Sequence, residues 1–457
     1  MKKKLLRAVA LVLSCVLLLF AVSCSGGKGK TLMTLKKDGV TVTLSVNIYQ
    51  LMLSRMKGSL AFYGYTANGL TPEADAFWSY QDKFNGTDLQ TIDEYYRDCI
   101  LDNCRTYLAA LYLFEKNGLS LSAADEEEIE KNMAEILHTD GDDSKTKLNA
   151  VLSAYGVNYD ILKEAYTIEK KVAAVQKHLY GENASGVGDI VKAEFLEENY
   201  VHFRQIFLAS YSYVYETDQN GDVIYYYTEG ENKDRICYDS NNGVTGTDEN
   251  GQTVKDQNGD TVYFVKDTDQ KKIAYNSSPT LSAPAYVMTD DGKDYKTTPK
   301  TEDELKALAT RAEALYKDMQ DATVAEFETA IPKESDDTAD KSEYYDGYYL
   351  KRHTDYAASG ADYEYLSQIV TALDGMQNGE VTMVQSKFGY HIVMKYAHTE
   401  KAYEKEGNEA WFESFYADLI ESLFLDECQK LYTDISVNDK VLATSPTMKE
   451  VKVNYLY

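Results

Sequence analysis

The sequence predicts an α+β protein: a helical domain built from both ends of the chain, with an α/β domain inserted between them that itself carries a β-hairpin insertion. Three observations lead there. Apolar residues recur at helical spacing through residues 93–182 and again through 411–431. Residues 379–395 read as two short strands joined by a polar turn. Between these blocks, residues 211–300 are rich in Asp, Asn, Gly, Thr and Tyr, with repeated Asn-Gly turn signals. A chain of 457 residues is also longer than a single core usually organises.

Residues 1–23 read as an export signal. Lys2, Lys3, Lys4 and Arg7 precede an apolar run, residues 11–20, that is too short to span a bilayer comfortably. Ala21-Val22-Ser23-Cys24 then leads into Ser25-Gly26-Gly27. Small residues before a cysteine and a flexible polar tether after it (24–30) resemble a bacterial lipobox, which implies cleavage before Cys24 and a lipid on its thiol. Such a product is anchored on the membrane rather than through it. The formal charge is −27, and loss of the four leader cations makes it more negative still. So acidic a chain repels nucleic acid and anionic headgroups. Cys99, Cys104, Cys237 and Cys428 show no zinc or Cys-x-x-Cys spacing, so buried free thiols are expected.

Residues 31–47 alternate around Asp38-Gly39 as a hairpin. Ile100, Cys104, Tyr107, Leu108, Leu111 and Phe114 form a helical stripe ended by Asn117-Gly118. Ser122 and Asp125 are spaced as a capping box. Leu148, Val151, Leu152 and Tyr155 make the next apolar face, stopped at Gly156; Ile161, Leu162, Ala165, Tyr166, Val172, Val175 and Leu179 make another. At the far end, Trp411, Phe412, Phe415, Tyr416, Leu419, Ile420, Leu423, Phe424, Cys428 and Leu431 form a dense stripe that must bury itself against the N-terminal helices. Val451, Val453 and Tyr455 alternate and predict a last strand that pairs with the opening hairpin. The helical domain thus takes residues 31–198 and 399–457, and the inserted domain 199–398.

Within the insert, residues 199–208 read as a first strand, with His202 and Gln205 on opposite faces. In 211–300, Asp218, Asn220 and Asp222, and likewise Asp256, Asn258 and Asp260, offer oxygens at close spacing. The glycine is misplaced for an EF-hand and the distal glutamate is missing, so these read as hairpin turns; no metal and no cofactor is expected. Thr301 and Glu304 cap a helix with the face Leu305, Leu308, Ala312, Leu315 and Met319, followed by Ala325, Phe327 and Ile331. Residues 365–373 supply a further helix. On the closing strand Tyr390, Ile392 and Met394 share one face, His391 and Val393 the other.

The wording of that closing stretch is specific. Gly379-Glu380-Val381, a short gap, then Gln385-Ser386-Lys387-Phe388-Gly389-Tyr390-His391-Ile392-Val393 resembles the end of parvulin-type peptidyl-prolyl isomerase domains, and most closely those of the bacterial export foldases, the PrsA and SurA families. Ser335-Asp336-Asp337 resembles the family's Ser-x-Asp segment, and Asp346-Gly347-Tyr348-Tyr349 its Asp-Leu-Gly-Tyr-Phe turn, one residue short. Residues 45–182, with their Lys-Asn-Gly-Leu and Leu-Asn-x-x-Leu-x-x-x-Gly runs, are similar to the SurA-type N-terminal chaperone domain.

The resemblance implies a site with His391, an aspartate at Asp336 or Asp337, and a second histidine where this chain has Gln205. It implies substrate contacts from Phe388, Tyr390 and Met383, with Leu366 and Ile369 nearest to the family's apolar wall under the proline. It further implies a folding factor outside the cytoplasm, lipid-anchored at the bacterial cell membrane, that isomerises prolyl bonds in unfolded or extended exported polypeptides. The departure at Gln205 keeps a catalytically inactive holdase as the alternative. A lipid-anchored solute-binding protein, the third class, predicts repeated βαβ units that the pattern lacks. No Gly-x-Ser-x-Gly or His-Glu-x-x-His motif supports hydrolysis.

Overall fold

The opening alternation folds as an antiparallel hairpin, Thr31–Lys37 against Val40–Ser45. The structure is a computed structural model that describes residues 29–457 except 85, 87, 279–280, 338–345 and 456. The leader, Cys24 and the tether as far as residue 28 lie outside the described residues. The chain divides into two units. Of the described residues, the first takes those through His202, with 348–370 and 397–457; the second takes those within 203–347 and 371–396. The inserted domain is thus narrower than the 199–398 read from sequence.

In the first unit, the helices Val46–Phe62, Ile92–Lys116 and Tyr159–Tyr180 enclose one core that includes Leu51, Leu108 and Leu162. Their starts are set locally. Thr91 and Glu94 close a capping box on the second helix, Ser122 and Asp125 close the expected one on Ala123–Thr139, and Asn158 caps the third. The late stripe becomes the helix Phe415–Gln429, whose Phe424 and Cys428 enter the same core. Its first turns pack Phe415 and Leu419 with Tyr200, Tyr349 and Phe412, and this cluster is what draws 348–370 into the first unit. Val151, expected on a buried face, is exposed, while Leu148 and Leu152 beside it are buried.

The C-terminal strand is displaced from its expected place. Ile435–Val437 pairs antiparallel with Thr31–Lys37; residues 451–455 form no strand. Side chains hold that tail instead. Lys57 Nζ donates to Met448 O at 2.7 Å, Val451 O at 2.9 Å and Lys449 O at 3.2 Å. Asn454 closes a loop with Tyr457, its Nδ2 donating to Tyr457 O at 2.8 Å and its Oδ1 accepting from Tyr457 N at 2.8 Å. Once those backbone groups are satisfied, no sheet edge is needed. The tail crosses the first helix at Gly58, where a Cβ would overlap Asn454 O.

In the second unit, the strand that begins at Tyr200 continues from Phe203 to Ala209, and the order is this strand, then Gly389–Tyr396, then Val381–Ser386. The last two form an antiparallel hairpin in which Val384 faces His391 and Met383 faces Ile392. The helix Glu302–Met319, capped by Thr301 and Glu304, and the helix Val324–Glu334 cover one face, burying Leu308, Ala312, Phe327 and Ile331 against Ile206, Leu208, Ile392 and Met394. Leu305, read as part of that face, is exposed. Residues 211–300 form the expected Asn-Gly turns, but each closes only an isolated bridge, Thr217 with Val223, Thr247 with Thr253 and Lys255 with Thr261; the short strands instead pair over long range, Tyr211–Tyr213 with Thr297–Pro299 and Tyr225–Tyr227 with Ser282–Pro284. Each acidic repeat is a tight Asx turn: Asp218 Oδ1 accepts from Asn220 N and Asp222 N, and Asp256 Oδ1 from Asn258 N and Asp260 N. Among the described residues no group of three or more His, Cys, Asp or Glu is placed to hold a metal ion, and no helix is long and apolar enough to cross a membrane. Cys99, Cys104, Cys237 and Cys428 are free thiols.

Candidate functional site

Period-two alternation puts His391 on the sheet face away from the two covering helices, and Gln205 and Phe207 on the neighbouring strand meet it there. The strands approach closely at Gly389, where a Cβ would overlap Leu208 O and where φ is +142°. Ser335 and Asp336 tie the Phe207 strand on its other side. Phe207 N donates to Ser335 Oγ at 3.0 Å, Asp336 N to Phe207 O at 2.7 Å, and Ala209 N to Asp336 Oδ2 at 2.9 Å. The carboxylate of Asp336 is therefore committed to the backbone, and Asp337 is the one delivered to Gln205.

The side chains form a directed series. Gln205 Nε2 donates to Asp337 Oδ2 at 2.6 Å, which fixes the amide and leaves its Oε1 as acceptor. His391 Nδ1, at 3.0 Å from that Oε1, must then carry the proton. Nε2 is left as acceptor for Ser386 Oγ at 2.9 Å, and Ser386 Oγ accepts from Phe388 N at 3.1 Å. The Phe207 ring stacks on the imidazole with centroids 4.8 Å apart. His391 is 3% exposed. Burial pushes its pKa down to about 4, against the opposing pull of Asp337. The ring is neutral at physiological pH, with its tautomer set by an aspartate that it does not touch through either of these two bonds.

That shift has a stability consequence. Between about pH 6.5 and 4 the unfolded chain takes up a proton at this histidine and the folded chain does not. Stability from this site is therefore undiminished above about 6.5 and falls as pH drops toward 4, by roughly 3 kcal/mol in total. Urea midpoints measured from pH 7.5 to 4.5 in wild type and His391→Phe should converge as pH falls. Parallel curves would show that the ring is hydrated and titrates normally.

Several sequence-derived site residues are placed together and others are not. His391, Gln205 and Asp337 meet; Phe388 adjoins them through Ser386. Met383 and Tyr390 do not line this face. Both pack with the helix-covered core on the other side of the sheet, because Met383 pairs with Ile392 and Tyr390 is one residue from His391. Leu366 and Ile369 belong to the first unit, on the helix Glu364–Leu373. Ser386 and Phe207 were missed as site residues. The hairpin register holds the signal for Ser386: it lies diagonally across from His391 on the same face, two residues beyond Val384. His202 lies in the first unit, stacked on Tyr349 at 4.2 Å with Nδ1 at 2.6 Å from Ala397 O, so it takes no part as the missing second histidine.

Residues 295–397 match the family model of the rotamase, PPIC-type PPIase domain. The chain therefore contains a parvulin-type peptidyl-prolyl isomerase domain, whose first strand lies upstream of the matched segment and rejoins it in the sheet. Among solved structures the chain is similar to the crystal structure of PrsA from Bacillus subtilis, at 13% identity over 82% of this chain and 91% of that one, with a TM-score of 0.18. No curated protein matches.

Proposed function

We propose that this chain is a folding factor acting outside the cytoplasm, held to the bacterial membrane by a lipid on Cys24, that catalyses prolyl cis–trans isomerisation in exported polypeptides while holding them extended. The observation that carries the catalytic part is the series Asp337, Gln205, His391, Ser386 in a domain of PPIC type. Rotation about an X-Pro bond meets a barrier of about 18–20 kcal/mol because the amide is conjugated, and needs no nucleophile or metal. The twisted amide is less polar than the planar one, so a dry, apolar setting favours it. A neutral imidazole stacked on Phe207 suits that setting; an imidazolium would draw water in. Asp337 and Gln205 keep the imidazole Nδ1–H pointed away from Ser386, so the hydroxyl beside Phe388 stays oriented.

A proline-peptide assay tests this. In His391→Ala, kcat/KM should fall at least about tenfold, and Cys24→Ala should release the protein from the membrane fraction. Wild type and His391→Ala both at the uncatalysed rate would remove the enzyme claim. A second reading, an inactive holdase, is favoured by Gln205, which stands where the family resemblance implies a histidine. It predicts background rates in both proteins together with suppressed aggregation of an unfolded client.

A further inference from the structure

Residues 211–300 lie outside both the network around His391 and, up to residue 294, the matched family segment. Their aromatic rings nonetheless continue from it. Phe207, stacked on His391, lies 6.5 Å from Tyr211, and Tyr211 lies 5.6 Å from Tyr213. Tyr213 is 5.0 Å from Tyr286, which is 5.2 Å from Tyr215 and 5.0 Å from Tyr295. All of these residues are in the second unit. Exposure rises along the series: Phe207 is buried, Tyr211, Tyr213 and Tyr286 are half-buried, and Tyr215 and Tyr295 are 41% and 49% exposed. The backbone beneath is already spent. Val214 N donates to Lys296 O, Lys296 N to Val287 O, and Val287 N to Val214 O. A ligand there must be read by ring faces rather than by strand addition.

We propose that this series is an accessory binding track for the extended segment flanking the target proline, and that it selects segments bearing Lys or Arg. The proposal rests on the isomerase reading for the proline's own position. Two observations fix the occupant. The rings form one continuous path from His391, on the order of 25 Å long, which seven or eight extended residues span. The surrounding insertion is acidic, with sixteen Asp and Glu against nine Lys and Arg in residues 211–300. On the segment that carries Tyr295, Lys300 is committed to the carbonyls of Ala209 and Tyr211, and Lys296 pairs with Asp290. Tyrosine faces beside such a field attract guanidinium and ammonium groups.

The test compares a proline tetrapeptide with a twelve-residue peptide that carries the same core and an Arg/Lys-bearing flank, by fluorescence anisotropy and by isomerisation. Tyr215→Ser/Tyr295→Ser, at exposed positions, should weaken binding of the long peptide at least tenfold and leave kcat/KM for the tetrapeptide unchanged; Tyr215→Phe/Tyr295→Phe should retain binding. A long peptide with Glu in place of Arg and Lys should bind at least tenfold more weakly to wild type. A photo-crosslinker about seven residues from the proline should label residues 211–216 or 285–296 in the wild-type protein. Unchanged long-peptide binding in the Ser variant, equal binding of the acidic peptide, or labelling elsewhere would overturn the track. Failure of the isomerase reading is separable: it shows as tetrapeptide turnover at background while anisotropy still responds to Tyr215 and Tyr295.

Discussion

Replacing Gly389 with alanine should cost roughly 3 kcal/mol or more and remove isomerase activity, because the new methyl overlaps a neighbouring strand's backbone. Two terms add. The φ of +142° lies where residues with a Cβ are strained, a cost of about 1–3 kcal/mol. The Cβ also meets Leu208 O, a backbone atom that yields only if the strands part. Parting them separates His391 from Gln205, so stability and activity should fall together. Gly379→Ala is the control. It too has a positive φ, +89°, but nothing stands near its Cβ, so only the backbone term, about 1 kcal/mol, applies. Urea unfolding of both variants alongside a proline-peptide assay decides it. Equal losses would show that strand proximity at Gly389 is not the controlling feature.

Lys57→Met should destabilise the first unit by roughly 3 kcal/mol and free its C-terminal tail. The ammonium is buried, and burial lowers its pKa despite Asp75 and Asp93 nearby. Its three carbonyl partners belong to residues 448–451. Methionine preserves the volume and removes every donor, leaving acceptors unmatched in a dry crossing. A drop in Tm with new protease cuts after residue 443 is the expected result. An unchanged tail would mean that the Asn454 loop and the packing of Met448 hold it alone.

How much of this was legible in the chain depends on the range of the interaction. Capping boxes at Ser122 and Thr301 involve residues three apart and form as the sequence predicts, as do the Asn-Gly turns of the insertion, whereas the strands of that insertion pair with distant partners that local signals do not name. The strand face of His391 followed from alternation. The same alternation already argued against Tyr390 as a contact on that face, and the pairing Met383–Ile392 excluded Met383 for the same reason. The terminal alternation at Val451, Val453 and Tyr455 misled: Tyr455 is exposed while Asn454 is buried, so burial follows the tail's own environment rather than the two faces of a strand. Here part of that environment is Lys57, reaching the tail from a helix almost 400 positions earlier in the chain.

The sequence by itself determined the local elements, the acidic character, the rotamase wording around His391 and the substitution at Gln205. These rest on short-range periodicity and on side-chain chemistry that each residue carries wherever it sits. Only the tertiary structure decided that Asp337 rather than Asp336 orients Gln205, that Ser386 completes the histidine's hydrogen bonds, and that a ladder of tyrosines from a distant insertion begins at Phe207. Those outcomes turn on which backbone donors are already satisfied when the strands at 203–209 and 389–396 and the segment 335–337 come together. Such satisfaction is a property of the assembled sheet, and no stretch of chain encodes it alone.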